Sequence, residues 1–269
     1  MNFHSDEYIM DRMKEHYEDA LKQYPENRIV GIFYQGSGNY GLDYEGSDVD
    51  TKCVLAPSLK ELAESKMTST TYVRENDEHI DFKDIRMMLE TFRKSNLNFL
   101  EILYTKYYII NPIYEAEWNK LIASRDSIVT MNIPSLMKSM KGIASEKYHA
   151  LEHRYPSRIE WIDKFGYDPK QLHHLFRIEE FMGRWINGES FAECLISTEP
   201  EWLIEVKKGS YNLEYARKQG KYVMDFIQKM YEDYLKICNT TIDETMYKLF
   251  DEVSYNIIKI GIRKELENE

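Results

Sequence analysis

The sequence predicts an α+β fold, in which a small mixed-sheet domain over residues 1–110 is followed by an all-helical domain over residues 111–269. Strand-like apolar runs are confined to the first 110 residues, where they alternate with helical segments. Beyond Pro112 every periodic segment has helical spacing. A chain of 269 residues is long enough for two domains of modest size.

The first half of the chain alternates between predicted helices and strands. Apolar residues at helical spacing, among them Tyr8, Met13 and Leu21, predict a helix over residues 5–23. A short continuous apolar run predicts a buried strand over residues 28–35. The further predicted strands are 49–55, 70–74 and 79–82, and the further predicted helices are 58–66, 84–94 and 98–104.

The second half carries only helical signals. Pro112 interrupts the pattern, and the strand signals fade after it. Asp168 and Pro169 suit the cap and the first turn of a helix, while Asn187 and Gly188 suit its end. The predicted helices of this half are 114–122, 134–151, 169–186, 213–237 and 243–264.

Composition and charge narrow the class of protein. With 43% hydrophobic and 30% charged residues and no run of 18 apolar residues, the chain is expected to be soluble and to have no membrane partner. The polar N-terminus does not resemble a secretory signal, and three widely spaced cysteines indicate a reducing compartment, so we predict a cytoplasmic protein. The net charge of −11 weighs against broad, non-specific binding to a nucleic-acid backbone.

The most informative segment is residues 36–50, in which a turn at Gly36 and Ser37 is followed by Asp48 and Asp50. Glycine lets the backbone approach a ligand closely and adopt positive φ, so the turn is suited to present N–H groups to phosphates. On a strand, the two aspartates would point to the same side because side chains alternate. The combination predicts a site that holds a nucleoside triphosphate through a divalent cation.

The chemistry of phosphoryl transfer explains why carboxylates are expected there. Two divalent cations about 3.5–4 Å apart stabilise both the attacking and the leaving oxygens, and magnesium prefers carboxylate oxygens together with phosphates and water. Asp81 lies in a strand-like run where an unpaired carboxylate would be costly, so it is the candidate third ligand beside Asp48 and Asp50. The predicted cofactor is magnesium, with manganese as an alternative. An Asp-x-Asp pair considered alone is more often a solvated turn.

Seven residues of this segment form a pattern: Gly36, Ser37, Tyr40, Gly41, Ser47, Asp48 and Asp50. The pattern resembles the signature of the DNA polymerase β-like nucleotidyltransferase superfamily. Within it, the chain looks most like the predicted nucleotidyltransferases associated with RNA repair pathways. Three later stretches are similar to that group, and they are residues 95–103, in which Leu97 replaces the usual proline, residues 167–177 and residues 205–209.

The resemblance implies a fold and a set of roles. The first domain would be a polymerase β-like catalytic domain, in which Asp48, Asp50 and Asp81 are the catalytic residues and the metal ligands. Ser37 would contact phosphate. The residues predicted to bind the nucleotide are Gly36, Ser37, Tyr40, Ser47, Lys170, His174 and Arg177.

The helix predicted over residues 169–186 has a positive face opposite an apolar one. The positive face comprises Lys170, His173, His174, Arg177 and Arg184. We interpret it as a wall of the cleft opposite the carboxylates that holds triphosphate or acceptor, with bidentate contacts from Arg177. A solvated helix face with incidental charge is the alternative. Glu179 falls on the apolar face, where only a buried ion pair or a shifted register would account for it.

The leading hypothesis is a magnesium-dependent nucleotidyltransferase, an enzyme that moves a nucleoside monophosphate from a triphosphate such as ATP to a hydroxyl and releases pyrophosphate. Asp48 and Asp50 would bind both metal ions, and Asp81 would bind the catalytic one and help to deprotonate the acceptor. The acceptor is open between an RNA end, a protein, as in AMPylation, and a small molecule. The alternatives are a catalytically silent nucleotide-binding module on the same fold and a phosphohydrolase that uses the same aspartates.

Overall fold

A computed structural model describes residues 3–268 of the chain, which fall into two compact units. The first unit is built from residues 3–39, 43–131 and 242–268, and the second from residues 40–42 and 132–241. The α+β class is confirmed, because one mixed sheet is combined with many helices. The predicted boundary between sequential domains at residue 110 stays a prediction.

The first unit contains a five-stranded sheet. Its strands are β1 (Ile29–Gln35), β2 (Asp50–Leu55), β3 (Ser69–Val73), β4 (His79–Asp84) and β5 (Tyr108–Ile110). They lie in the order β3-β4-β2-β1-β5, with β2 and β4 parallel and the other neighbours antiparallel. The four predicted strands are confirmed, whereas β5 was not predicted, because three residues are too few to show alternation.

Helices account for most of the remaining chain. In order they are α1 (Asp6–Gln23), α2 (Leu59–Ala63), α3 (Ile85–Arg93), α4 (Leu97–Leu100), α5 (Glu115–Ala123), α6 (Arg125–Thr130), α7 (Ile133–Ala150), α8 (Ile159–Phe165), α9 (Pro169–Ile186), α10 (Phe191–Leu195), α11 (Pro200–Lys207), α12 (Leu213–Tyr234) and α13 (Glu244–Glu267). Helices α7 to α12 belong to the second unit, and the others belong to the first. Among residues 3–268, none of the helices has the length and apolarity needed to cross a membrane.

One hydrophobic core of the first unit lies between α1 and one face of the sheet. Fully or almost fully buried side chains fill it, and they include Ile9, Met13, Ile32, Cys53 and Phe82. Each such aliphatic or aromatic side chain contributes about 1.5–3 kcal/mol when it leaves water. Because side chains alternate along a strand, the residues between these core positions emerge on the other face of the sheet.

The second unit is organised around α9, which packs against α7, α10, α11 and α12. Its apolar face was predicted from helical spacing and is confirmed, since Leu172, Leu175 and Met182 are completely buried. The carboxylate of Asp168 caps the helix by accepting the N–H of Lys170 at 3.0 Å, an interaction worth about 1 kcal/mol.

Candidate active site

The Gly-Ser turn begins where β1 ends. Gly36 has a φ of +120°, which residues with a Cβ rarely adopt. The N–H of Asn39 donates to the Gly36 carbonyl at 3.1 Å and closes the turn. The N–H of Gly38 donates to the hydroxyl of Tyr34, a buried residue of β1, at 3.0 Å. Two of the N–H groups that the sequence suggested for phosphate binding, those of Gly38 and Asn39, are therefore hydrogen-bonded within the protein.

The close approach of Gly38 to Tyr34 gives a testable prediction. A Cβ at position 38 would lie 2.7 Å from the Tyr34 hydroxyl oxygen, and this ring is buried and cannot withdraw. Gly38→Ala is therefore expected to lower the free energy of unfolding by about 1–3 kcal/mol, as measured by urea denaturation. The matched control is Gly142→Ala in α7, where nothing lies within 4 Å of the added Cβ. A Gly38→Ala protein as stable as the control would contradict the observed packing.

The structure brings together Ser37 and Ser47, two predicted nucleotide-binding residues that lie ten positions apart in the chain. The Ser37 hydroxyl donates to the Ser47 hydroxyl oxygen at 3.0 Å. The same oxygen of Ser47 accepts the N–H of Tyr44 at 3.1 Å, so it is held in a turn of its own. This hydrogen bond ties the Gly-Ser turn to the loop that leads directly into Asp48.

The carboxylates lie at and beside the start of β2. Asp48 is exposed in the preceding loop, whereas Asp50 begins the strand and is half-buried. Asp81 is confirmed as a strand residue, because it lies in β4 opposite Lys52 of the parallel strand β2. Paired residues and alternate residues of one strand share a face. Asp50, Lys52 and Asp81 therefore lie on the sheet face that does not carry the core against α1.

Groups on neighbouring residues hold both strand carboxylates, and the ring Nδ1 of His79 lies 3.4 Å from the Asp50 carboxylate. Asp50 accepts the backbone N–H of His79 at 2.8 Å. Asp81 accepts the hydroxyl of Thr71 at 2.7 Å and the side-chain amide of Gln35 at 3.2 Å. An ionised carboxylate has about four lone-pair sites, so these contacts orient the two groups without using all their capacity to accept.

Lys52 is the residue of this face that the sequence reasoning missed. It is only 6% exposed, and its ammonium group donates to the side-chain carbonyl of Gln35. Burial lowers the pKa of Lys52 to about 8, against the opposing attraction of Asp81. The available signal was its position two residues after Asp50, which strand alternation places on the same face.

The stretch of residues 95–103, one of those on which the resemblance rests, lies against this lysine. The ring centroid of Phe99 is 4.9 Å from the Lys52 ammonium and 5.0 Å from that of Lys83. The buried carboxylate of Glu101 lies 4.0 Å from the Lys52 ammonium. Aromatic and carboxylate groups thus surround the positive charge beside Asp81.

Glu78, the residue before β4, also escaped the sequence reasoning, and it supports the backbone between the two aspartates. Its buried carboxylate accepts the N–H of Val49, the residue between Asp48 and Asp50, at 3.3 Å. It also forms ion pairs with Arg12 and Arg74 and a hydrogen bond with the buried His16. The loop that carries the aspartates is therefore anchored to a charged network on α1 and on the connection between β3 and β4.

The positive face predicted for α9 needs a correction. His173 is buried and donates from Nδ1 to the Leu203 carbonyl at 2.9 Å, and burial lowers its pKa to about 3. Burial also lowers the pKa of His174 well below its ordinary value. Neither histidine is charged near neutral pH, because burial disfavours the imidazolium. The positive charge on this part of the face comes from Lys170 and Arg177.

Two of the predicted nucleotide-binding residues meet in the second unit. The guanidinium carbon of Arg177 lies 3.8 Å from the ring centroid of Tyr40. The carbonyl of Tyr40 accepts the N–H of Ser197 at 3.1 Å, which holds this residue against the helical unit. A guanidinium stacked on a ring is pre-organised for bidentate contact with phosphate or carboxylate.

Magnesium is the metal that the sequence predicts for these carboxylates. Within residues 3–268 no group of three or more His, Cys, Asp and Glu side chains is arranged to hold a metal ion. In nucleotide sites magnesium commonly takes one or two carboxylates, and substrate phosphates and water complete its octahedron. Asp50 and Asp81 offer hard oxygen donors of this kind. The assignment of Asp48, Asp50 and Asp81 as metal ligands stays a prediction.

No family model matches the chain, and no curated protein matches it. Among solved structures, a nucleotidyltransferase-like protein from Exiguobacterium sibiricum is similar at 11% sequence identity and a TM-score of 0.30. The similarity covers 94% of this chain and 74% of that protein. A likeness this weak carries no argument about function.

Proposed function

We propose that the chain is a nucleotidyltransferase that moves a nucleoside monophosphate from a nucleoside triphosphate to a hydroxyl acceptor, with magnesium or manganese as cofactor. One observation carries the proposal. The Gly-Ser turn at the end of β1 is hydrogen-bonded, through Ser37 and Ser47, to the loop that leads into Asp48 and Asp50. The turn to which we assign phosphate binding and the loop that carries Asp48 into strand β2 thus belong to one local structure, and Asp81 lies on the neighbouring strand β4.

The reaction makes one bond and breaks one. The acceptor oxygen bonds to the α-phosphorus, the bond from that phosphorus to the bridging oxygen breaks, and pyrophosphate leaves with the electron pair. We assign the removal of the hydroxyl proton to Asp81, a carboxylate with acceptor capacity to spare. Magnesium held by Asp48, Asp50 and Asp81 would supply charge neutralisation at the phosphates. Lys52 adds a fixed positive charge to the same sheet face.

We assign the binding of triphosphate or acceptor in the second unit to Lys170, His174, Arg177 and Tyr40. Arg177 contributes a guanidinium already ordered on the Tyr40 ring. His174 acts as a neutral imidazole, because its lowered pKa keeps it uncharged near neutral pH. Lys170 is exposed and contributes a mobile point charge.

The proposal leaves the class of the acceptor open. The resemblance to RNA-repair nucleotidyltransferases favours an RNA end. The net charge of −11 favours a protein or a small molecule, because a long polyanion requires a positive surface.

The test follows a label on the α-phosphate. The full chain is incubated with magnesium and each of the four α-labelled triphosphates, and RNA, protein and small hydroxyl compounds are offered separately. We expect label on one class of acceptor, together with an equal amount of pyrophosphate. Release of inorganic phosphate would identify the phosphohydrolase alternative, and calorimetric binding of nucleotide without pyrophosphate release would identify a silent module. Either result would overturn the proposal.

A further inference from the structure

The second unit contains a groove of about 530 Å³ that the proposed function does not use. Its walls come from α9, from the start of α11 with the residues before it, and from α12. Grooves of about 300–1,000 Å³ are of the size that small molecules occupy.

One wall of the groove is aromatic. The rings of Phe176 and Trp202 pack at a centroid distance of 4.6 Å. The indole N–H of Trp202 donates to the hydroxyl of Tyr211 at 3.0 Å, which fixes the ring in place. Phe226 of α12 is 40% exposed and extends this apolar surface. The faces of such rings carry negative quadrupole density, so they attract cations.

Arg184, a cation in the wall of the groove, is already fully engaged. It donates to the carboxylates of Glu180 and Glu189 and to the carbonyl oxygens of Glu193 and Ile196. These contacts use all five N–H groups of the guanidinium. Glu180 is likewise occupied, because the loop before α11 donates three further hydrogen bonds to it.

Two carboxylates of the groove remain unpaired. Over the described residues 3–268, the side chains of Glu179 and Glu199 have no ion-pair or hydrogen-bond partner. Glu179 is half-buried, and burial alone raises its pKa. A desolvated carboxylate without a partner is costly, and a bound cation would remove that cost. The presence of Glu179 on the apolar face, unexplained by the sequence, is therefore not due to an ion pair within the described protein.

We propose that the groove binds a small organic cation with an aliphatic stem, of the polyamine class. Its ammonium groups pair with Glu179 and Glu199. Its methylene groups, which carry part of the positive charge of the adjacent ammonium groups, lie against Phe176, Trp202 and Phe226. An anion would be repelled, and a hydrated metal ion would gain nothing from the aromatic wall. This inference does not depend on nucleotidyl transfer, because it rests on the walls of the groove alone.

The test is calorimetric titration of the full chain with spermidine, with magnesium chloride at matched ionic strength as the reference for unspecific charge. We expect saturable binding of one spermidine. Glu179→Gln is expected to weaken it about tenfold, because one charge-assisted contact is lost. Glu199→Gln is expected to act in the same direction. The matched control is Glu201→Gln on α11, an exposed glutamate outside the groove, which is expected to leave the affinity unchanged.

A second variant tests the aromatic wall. Phe226→Leu keeps an apolar side chain at an exposed position but removes the ring, and it is expected to weaken spermidine binding about threefold. The absence of saturable binding, or equal binding by the two Gln variants and the unmodified chain, would overturn the proposal. Tighter binding of a tri-lysine peptide than of spermidine would reassign the groove to a protein partner and overturn it as well.

Discussion

Asp50→Asn is expected to lower the rate of nucleotidyl transfer by at least about a thousandfold while the fold is retained. Asparagine has the same shape, and its carbonyl oxygen still accepts the N–H of His79 that the carboxylate accepts at 2.8 Å. The substitution removes only the negative charge, which the proposed role in cation binding requires. Transfer of the labelled α-phosphate measures the effect, and the urea midpoint checks the fold.

Asp48→Asn is expected to act in the same way, and Asp77→Asn serves as the matched control. Asp77 lies in the exposed turn between β3 and β4 with a φ of +64°, a conformation that asparagine tolerates well. The control is expected to keep full activity. If Asp50→Asn, in a preparation free of unmodified protein, transferred the nucleotide at an undiminished rate, the assignment of Asp50 as a catalytic residue would be wrong.

The second large effect is expected from Glu78→Ala, which should lower the free energy of unfolding by about 3–5 kcal/mol. Glu78 is 4% exposed, and its removal leaves Arg12, Arg74 and His16 without their shared carboxylate. Urea denaturation measures the loss. Glu15→Ala is the control, because Glu15 contacts the same two arginines from an exposed position.

The Glu78 carboxylate is also expected to make the stability of the fold sensitive to acid. Burial raises the pKa of Glu78, but the hydrogen bonds from His16 and Arg12 outweigh it and hold the pKa well below the ordinary value of 4.5. The folded state therefore binds fewer protons than the unfolded state, so this contribution is complete above pH 4.5 and is lost as the pH falls below it. The difference in unfolding free energy between the unmodified chain and Glu78→Gln should shrink over that acid range. If the unfolding free energies of the unmodified chain and of Glu78→Gln changed in parallel with pH, the proposed effect of Arg12 and His16 on the pKa of Glu78 would be contradicted.

The long helices and the first four strands could be predicted because their signal is local. Apolar residues repeat with a helical or strand period within each of these segments, as in α1 and α9. The short helices α6, α8, α10 and α11 and the strand β5 could not. Segments of this length are unstable alone, and packing against the rest of the protein decides their conformation.

The residues of the candidate site likewise fall into those that a local sequence pattern indicated and those that it did not. The turn at Gly36 and Ser37 and the pair Asp48 and Asp50 lie within one short segment, so their spacing alone indicated a phosphate and carboxylate site. Lys52 and Glu78 were missed because their importance comes from burial and from partners on other elements. The charge of His173 was misjudged for the same reason, since helical spacing does not reveal how deeply a side chain is buried.

The amino-acid sequence by itself determined the α+β class, the periodic elements and the glycine that permits a φ of +120° at position 36. These properties depend on steric and hydrophobic preferences within a few residues. Only the tertiary structure decided that Asp81 lies opposite Lys52, through the parallel pairing of β2 and β4, and that α13 packs on α3 and α5. Such pairings bury surface between residues far apart in the chain, so no local pattern specifies them.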